Sequence, residues 1–430
     1  MLDLRPVGYV IGLIVAIVGT TMLIPMLTDL AEDNGHWPVF FESFLITTAS
    51  GGFVALACAN GVTARVTIRQ TFLLASGIWL VLPLFGALPF VLGATSARPV
   101  DAVFEAMSGL TTTGSTVFTG LEFLPRGLLL WRSMLQWFGG IGIIVVAMVF
   151  LPELRVGGMQ IFRSEAFETD GKVLPRAAQI AGRISAAYVA LTAACYASYV
   201  AVGMPLFDAL NHALTTMSTG GFSTWDASFG VYQGPAEYVA SVFMVLASLP
   251  FVRYVQIIGG TAFPLFRDSQ VRAFLWVIAV LVIGIAFYRV TVNGDHVEHS
   301  LREALFNVTS IITGTGYASV DYQLWGSVPV VVFFFVGLIG GCAGSTCCSV
   351  KIFRYQLLFA SIRAQIRAIH SPHGVFTPRY GGAPVPPETL LSVTAFFTAF
   401  VVTLGVTAVL LSATGLDSIT AISGAATALA

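Results

Sequence analysis

Runs of about 20 apolar residues, each long enough to cross a bilayer as a helix, follow one another along this chain of 430 residues. They occupy 7–28, 39–60, 71–97, 127–152, 184–206, 238–266, 272–292, 327–350 and 390–412. No soluble fold hides so much apolar surface. Only 10% of the residues are charged and 56% are hydrophobic, where a soluble domain carries about a quarter charged residues. In lipid the backbone must satisfy its own hydrogen bonds, so the expected class is an all-α polytopic membrane protein. The first run is too long for a signal peptide, and no small-residue cleavage site follows it.

Charge sets the expected orientation. Sixteen of the 21 Lys and Arg residues fall at Arg5, Arg65 and Arg69 and in the segments 153–183, 253–272 and 351–379. Segments holding Asp29, Glu32, Asp33, Asp101, Glu105, Glu122, Asp208, Asp226, Asp295, Glu298, Glu303 and Asp321 alternate with them. The basic set, with the N-terminus, is expected in the cytoplasm, and the acidic set outside. The acidic set either concentrates cations near a pore mouth or simply solvates the outer surface.

Three glycine-bearing segments recur at roughly hundred-residue spacing: Thr112-Thr113-Gly114-Ser115, Ser218-Thr219-Gly220-Gly221-Phe222 and Thr313-Gly314-Thr315-Gly316-Tyr317. Each follows a segment too short to span (Asp101–Leu110, Asp208–Met217, Leu301–Ile312) and precedes a long apolar run. The repeat reads as helix, short helix entering from outside, extended segment at mid-membrane, helix. Non-helical backbone at that depth is tolerated where it lines a watery cavity. The divisions are two leading helices (1–60), three units (61–152, 153–266, 267–380) and the start of a fourth (381–430). A fourth glycine motif and a last helix are expected beyond Ala430, so the sequence reads as a C-terminally truncated one.

A pore that strips water from a monovalent cation returns the lost coordination with oxygens, and uncharged carbonyls do so while letting the ion leave. Glycine readily adopts the backbone angles this needs, Thr and Ser add hydroxyls, and the carbonyl end of each short helix adds partial negative charge. The alternative use of such glycines is close helix packing. A second cluster, Gly340-Gly341-Cys342-Ala343-Gly344-Ser345-Thr346-Cys347-Cys348, interrupts the run at 327–350. It reads equally as a flexible intramembrane gate or as a tight crossing of small residues.

The glycine segments, the stretch Trp131-Arg132-Ser133-Met134-Leu135-Gln136-Trp137-Phe138-Gly139-Gly140-Ile141-Gly142-Ile143 and the stretch 340–354 together resemble the TrkH/KtrB superfamily of potassium uptake proteins. Val156-Gly157-Gly158-Met159-Gln160 and the two leading helices resemble its TrkH branch. The resemblance implies helix–pore-helix–filter–helix units around a pseudo-fourfold pore. It implies a potassium filter at Thr111, Thr112, Thr113 and Gly114; Ser218, Thr219, Gly220 and Gly221; and Thr313, Gly314, Thr315 and Gly316. It implies a gate loop at Gly340–Thr346, a homodimer in the bacterial inner membrane, and a cytosolic TrkA/KtrA-like ring binding ATP/ADP or NAD. The chain departs from the family at Cys347-Cys348, where small residues, often glycine, are usual.

Among the remaining polar residues, Arg132 is expected to pair with Glu105 in support of the filter, because an unpaired Arg at depth costs about 3 kcal/mol or more. Arg253 reads as a snorkelling side chain. Asp295-His296-Val297-Glu298-His299 reads as a solvated loop rather than a metal site, and His370 and His373 as carrying no site. The five cysteines imply no disulfide framework, and Cys347-Cys348 reads as helix-packing thiols. An inverted-repeat secondary transporter of sodium or another small solute would show one interrupted helix per half. No enzyme constellation or nucleic-acid-binding pattern is present, so neither an enzyme nor a nucleic-acid partner is expected.

Overall fold

Among the described residues, helices form along the apolar runs, with interruptions in the runs at 238–266 and 327–350. The computed structural model of the protein describes residues 3–61, 67–145, 158–159, 173–260 and 263–430. Arg65, most of the basic segment 153–176, and Val156, Gly157 and Gln160 lie outside the described residues.

Helices α1 (Arg5–Thr21), α2 (Leu23–Ala31) and α3 (Trp37–Cys58) make the leading pair. The crossing of α1 and α3 is as close as small residues allow: a Cβ on Gly12 would lie 2.7 Å from the Gly51 carbonyl oxygen. In lipid such backbone approach, rather than water exclusion, drives association.

The first unit holds α4 (Ile68–Gly86), α5 (Leu88–Leu92), the short α6 (Pro99–Leu110) and α7 (Arg126–Val145). The second holds α8 (Val173–Ala201), α9 (Leu206–Met217), α10 (Pro235–Ala247) and α11 (Phe251–Ile258). Helix α12 (Phe263–Arg267) ends the second unit, and the third holds α13 (Ser269–Tyr288), α14 (Val297–Ile312), α15 (Ser327–Gly337) and α16 (Ile352–His370). Helices α17 (Pro387–Ala413) and α18 (Ser418–Leu429) follow. Six helices among the described residues are long and apolar enough to span, and a seventh span is counted if one bent pair is joined. Three apolar clusters pack the leading helices on the first unit, the second unit around Tyr188 and Phe229, and the third around Phe274 and Phe333.

Two spans differ from the expectation of continuous helix. The run at 238–266 bends by 90° between α10 and α11. Pro250 there has no N–H to continue the ladder, and the freed carbonyls find other donors, described below. The run at 327–350 stops at Gly337 and resumes at Ile352. Between them Ile339–Gly340 and Val350–Lys351 form a two-residue parallel pair. Cys347 and Cys348 therefore lie in a loop, not in a packed helix.

Candidate functional site

The three short helices α6, α9 and α14 end in the same way. The amides of Thr113, Gly220 and Thr315 each donate to a carbonyl five residues earlier, at Ser108, Thr215 and Ser310, and each bond is 2.9 Å. This is a left-handed helix cap, which turns the chain out of the helix axis. The left-handed residue is Thr112 (φ 59°), Thr219 (φ 52°) or Gly314 (φ 71°). A second follows two positions later, at Gly114 (φ 80°), Gly221 (φ 77°) or Gly316 (φ 80°). A β-branched residue resists positive φ, so Thr112 and Thr219 hold strain that the surrounding contacts must maintain.

The segments abut one another in order. A Cβ on Gly114 would overlap the Gly220 carbonyl oxygen, and one on Gly221 would overlap the Thr315 carbonyl oxygen. A Cβ on Gly316 would meet nothing within 4 Å. Among the described residues, no protein donor bonds the carbonyls of Thr111 to Gly114, Thr219, Gly221, or Thr313 to Gly316. Backbone carbonyls away from water are nearly always paired, so a converging row of unpaired ones stands out as a set of oxygens available to a cation.

A repeated strut braces each segment. Glu105, His212 and Asn307 stand six positions before Thr111, Ser218 and Thr313, and each reaches the chain just beyond its glycines. Glu105 accepts from Thr116 Oγ1 (2.9 Å) and the Val117 amide (3.0 Å). His212 Nε2 lies 3.1 Å from Ser223 Oγ, while Nδ1 donates to the Asp208 carbonyl. Asn307 Nδ2 donates to Ser319 Oγ (3.1 Å), and its Oδ1 accepts from the Ser319 amide.

The first two segments are further tied through α7. Arg132 pairs with Glu105 at 2.8 Å, and both side chains are fully buried. The same guanidinium donates to the Ser223 carbonyl and Thr116 Oγ1 and lies 4.1 Å over the Phe222 ring. Gln136 donates to the Gly220 carbonyl (2.6 Å) and accepts from the Phe222 amide (3.0 Å). Glycines bring α7 this close: a Cβ on Gly139 would overlap the Leu110 carbonyl, and one on Gly140 would lie 3.0 Å from Ser218 Cα. The second and third segments are joined by Tyr317, whose hydroxyl meets the Thr215 and Thr216 hydroxyls and the His212 carbonyl.

The loop at 338–351 docks on the break between α10 and α11. The amides of Cys342 and Thr346 donate to the carbonyls of Ser248 (3.0 Å) and Ala247 (3.3 Å). The Phe251 amide in turn donates to the Gly344 carbonyl (2.9 Å). Gln270 accepts from the Ala343 amide and Ser345 Oγ donates to the Cys342 carbonyl. Thr346 Oγ1 adds a second bond to Ala247, and Lys351 Nζ donates to the Cys347 carbonyl. A Cβ on Gly341 would lie 2.9 Å from the Ser248 carbonyl oxygen, while Gly340 packs against the chain at Cys348. These bonds take up the carbonyls left open at the end of α10.

Several charged residues stand elsewhere than expected. Besides Glu105, which pairs with Arg132 as expected, Asp29 and Glu303 of the acidic set are buried rather than on a surface. Asp29 accepts from the Gly127 amide and pairs with His36, and Glu303 pairs with Arg289 at 2.6 Å. Arg253 does not snorkel but pairs with Asp268 at 2.9 Å, because the bend at Pro250 carries it toward the start of α13. Asp295 and Glu298 pair with Arg289 and Arg302, and no metal-binding cluster occurs among the described residues. Beside the first turn of α9, partial burial and then its bond to Asp208 hold the Tyr232 phenol above its ordinary pKa.

A family model described as "TrkH: Cation transport protein" matches residues 36–430. The chain is 38% identical to the Trk system potassium uptake protein TrkI of Halomonas elongata, over 99% of this chain and 86% of that protein. It is 33% identical to the Trk system potassium uptake protein TrkH of Escherichia coli K12, over 97% and 87%. The crystal structure of the potassium transporter TrkH from Vibrio parahaemolyticus superposes with a TM-score of 0.91 at 30% identity, covering 99% of this chain and 89% of that one. The chain is thus a polytopic helical membrane protein and belongs to the TrkH family of cation transport proteins.

Proposed function

We propose that the protein takes up potassium ions across the bacterial inner membrane through a pore lined by Thr111–Gly114, Ser218–Gly221 and Thr313–Gly316. The row of unpaired carbonyls carries this reading. They offer a dehydrated cation oxygens without fixed charge, and the carbonyl ends of α6, α9 and α14 add favourable potential. All three segments share one backbone pattern and one chain direction, which favours a pore over an inverted-repeat carrier. Arg132 and Glu105 support the filter and do not bind the ion. The names of the relatives support potassium as the cargo.

In the same reading the loop Gly340–Thr346 is the gate, since it is held by exchangeable hydrogen bonds and continues into Cys348, which touches Thr112 and lies against Gly314. The N-terminus and the basic segments face the cytoplasm. There a nucleotide-binding ring of the TrkA/KtrA kind, taking ATP/ADP or NAD, acts on the 351–379 segment, and two copies of the chain form the membrane unit. Rubidium uptake by liposomes containing the protein tests the pore: flux that potassium competes and sodium does not is expected. Flux of an organic solute with no potassium or rubidium movement would overturn it.

A further inference from the structure

A cavity of about 570 Å³ opens where α13 begins, away from the glycine segments, lined by Arg253, Arg267, Asp268, Arg272, Tyr380 and the glycine turn that follows it. Three guanidinium groups face one carboxylate. Arg253 is committed to Asp268 through both Nε (3.0 Å) and Nη2 (2.9 Å). Arg267 and Arg272 are exposed and have no ion pair among the described residues. The opposite wall is the hairpin Arg379–Tyr380 with Ala383–Pro384. Its turn, Gly381-Gly382, has positive φ at both residues (58° and 89°), and a Cβ on either would meet nothing. The cavity therefore presents two uncompensated cations opposite an unobstructed stretch of backbone, which suits a phosphate oxyanion.

The surroundings point to the bilayer as the source of that phosphate. Ser269 begins a span that runs to Asn293, so the cavity stands at the level of headgroups. Phe263 and Phe266 lie on the short helix that supplies Pro264 and Arg267 to the cavity, with 62% and 73% of their surface exposed, and Ile258 at the end of α11 is 71% exposed. Arg267 lies 4.1 Å over the Phe263 ring, so one short helix carries both an apolar face for acyl chains and a cation for the headgroup. A soluble phosphate compound would use the arginines but not the aromatic rim.

We propose that this cavity binds the phosphate of an anionic phospholipid, with Arg267 and Arg272 as its cationic contacts. Binding holds α12 and the 379–384 hairpin against the start of α13. The site rests on neither the transport reading nor the assigned orientation, because binding is measured in micelles. The test is native mass spectrometry of the detergent-solubilised protein with phosphatidylglycerol, with phosphatidylcholine, and with glycerol phosphate as a soluble competitor. Retention of phosphatidylglycerol over phosphatidylcholine is expected, with the Arg267→Gln/Arg272→Gln variant roughly thirtyfold weaker, as two basic contacts at a membrane surface imply. Arg363→Gln/Arg367→Gln, which removes two exposed cations from α16, should retain lipid as the parent does. Equal retention of both lipids, equal loss in the two variants, or displacement by glycerol phosphate at lipid-like concentration overturns the proposal. Thermal unfolding without added lipid checks that both variants are folded.

Discussion

The thiol of Cys348 stands 3.4 Å from the hydroxyl of Thr112. A Cβ on Gly314 would lie 3.0 Å from the Cys348 Cβ as well. One residue of the third unit's loop therefore touches the first and third glycine segments together. If the loop is the gate, Cys348 is a point at which its position is felt by the strained residue Thr112.

Removing that contact should loosen the hold of the loop on the first glycine segment. A thiol–hydroxyl bond is weak, about 0.5–1 kcal/mol, so Cys348→Gly is expected to raise basal rubidium flux in liposomes roughly threefold. Cys195→Ala, buried in the apolar cluster of the second unit and away from the loop, should not raise it. Equal flux from the Cys348 variant and the parent would count against the loop as gate.

Glu105 is the sole carboxylate among the described residues that pairs with Arg132. Glu105→Gln leaves the guanidinium buried without a counter-charge, a change that costs about 3–5 kcal/mol. A drop of several degrees in the unfolding temperature in detergent is expected, together with weaker discrimination of potassium from sodium. Arg132→Lys should fare no better, because an ammonium cannot reach Glu105, Thr116 and the Ser223 carbonyl while lying on Phe222. Wild-type unfolding in Glu105→Gln would contradict the buried-pair account.

Gly221 carries two separate constraints. Its φ of 77° costs an L-residue about 1–2 kcal/mol, and a Cβ would overlap the Thr315 carbonyl. Gly221→Ala should therefore push the second and third segments apart and cut rubidium flux more than tenfold. Gly284, inside α13 with nothing within 4 Å, is the control. Gly284→Ala should leave flux unchanged and stabilise slightly through helix propensity. Comparable losses in both variants would mean that the glycine segments are not specially placed.

Spans and glycine segments are legible in the sequence because each has a local signature: a long apolar run, or a glycine at a point where no helix continues. The Arg132–Glu105 pair is legible for a related reason, since a charge in an apolar run demands a partner. Gln136, His212 and Asn307 carry no such signal. They are neutral polar residues on helices, and their partners are set by how the units pack. His212 could have been found only by aligning the short helices on their glycine segments, where it falls level with Glu105 and Asn307. The break at Ser248-Leu249-Pro250 has a local cue in the proline. Its consequence, a row of carbonyls that receives the loop almost a hundred residues later, depends on tertiary structure alone.

Gln136 offers the sharpest separation of hydrogen bonding from charge. Its amide donates to the Gly220 carbonyl and accepts from the Phe222 amide, so it fixes both sides of Gly221. Gln136→Leu keeps the volume and leaves two backbone groups unpaired, each costing about 1–3 kcal/mol. Gln136→Glu keeps the shape but, when ionised, sets a carboxylate against the Gly220 carbonyl. Protonation returns the donor, so rubidium flux through Gln136→Glu should rise as pH falls, whereas flux through Gln136→Leu should stay low at every pH. Parallel pH profiles for the two variants would show that Gln136 acts by packing rather than by holding the second glycine segment in register.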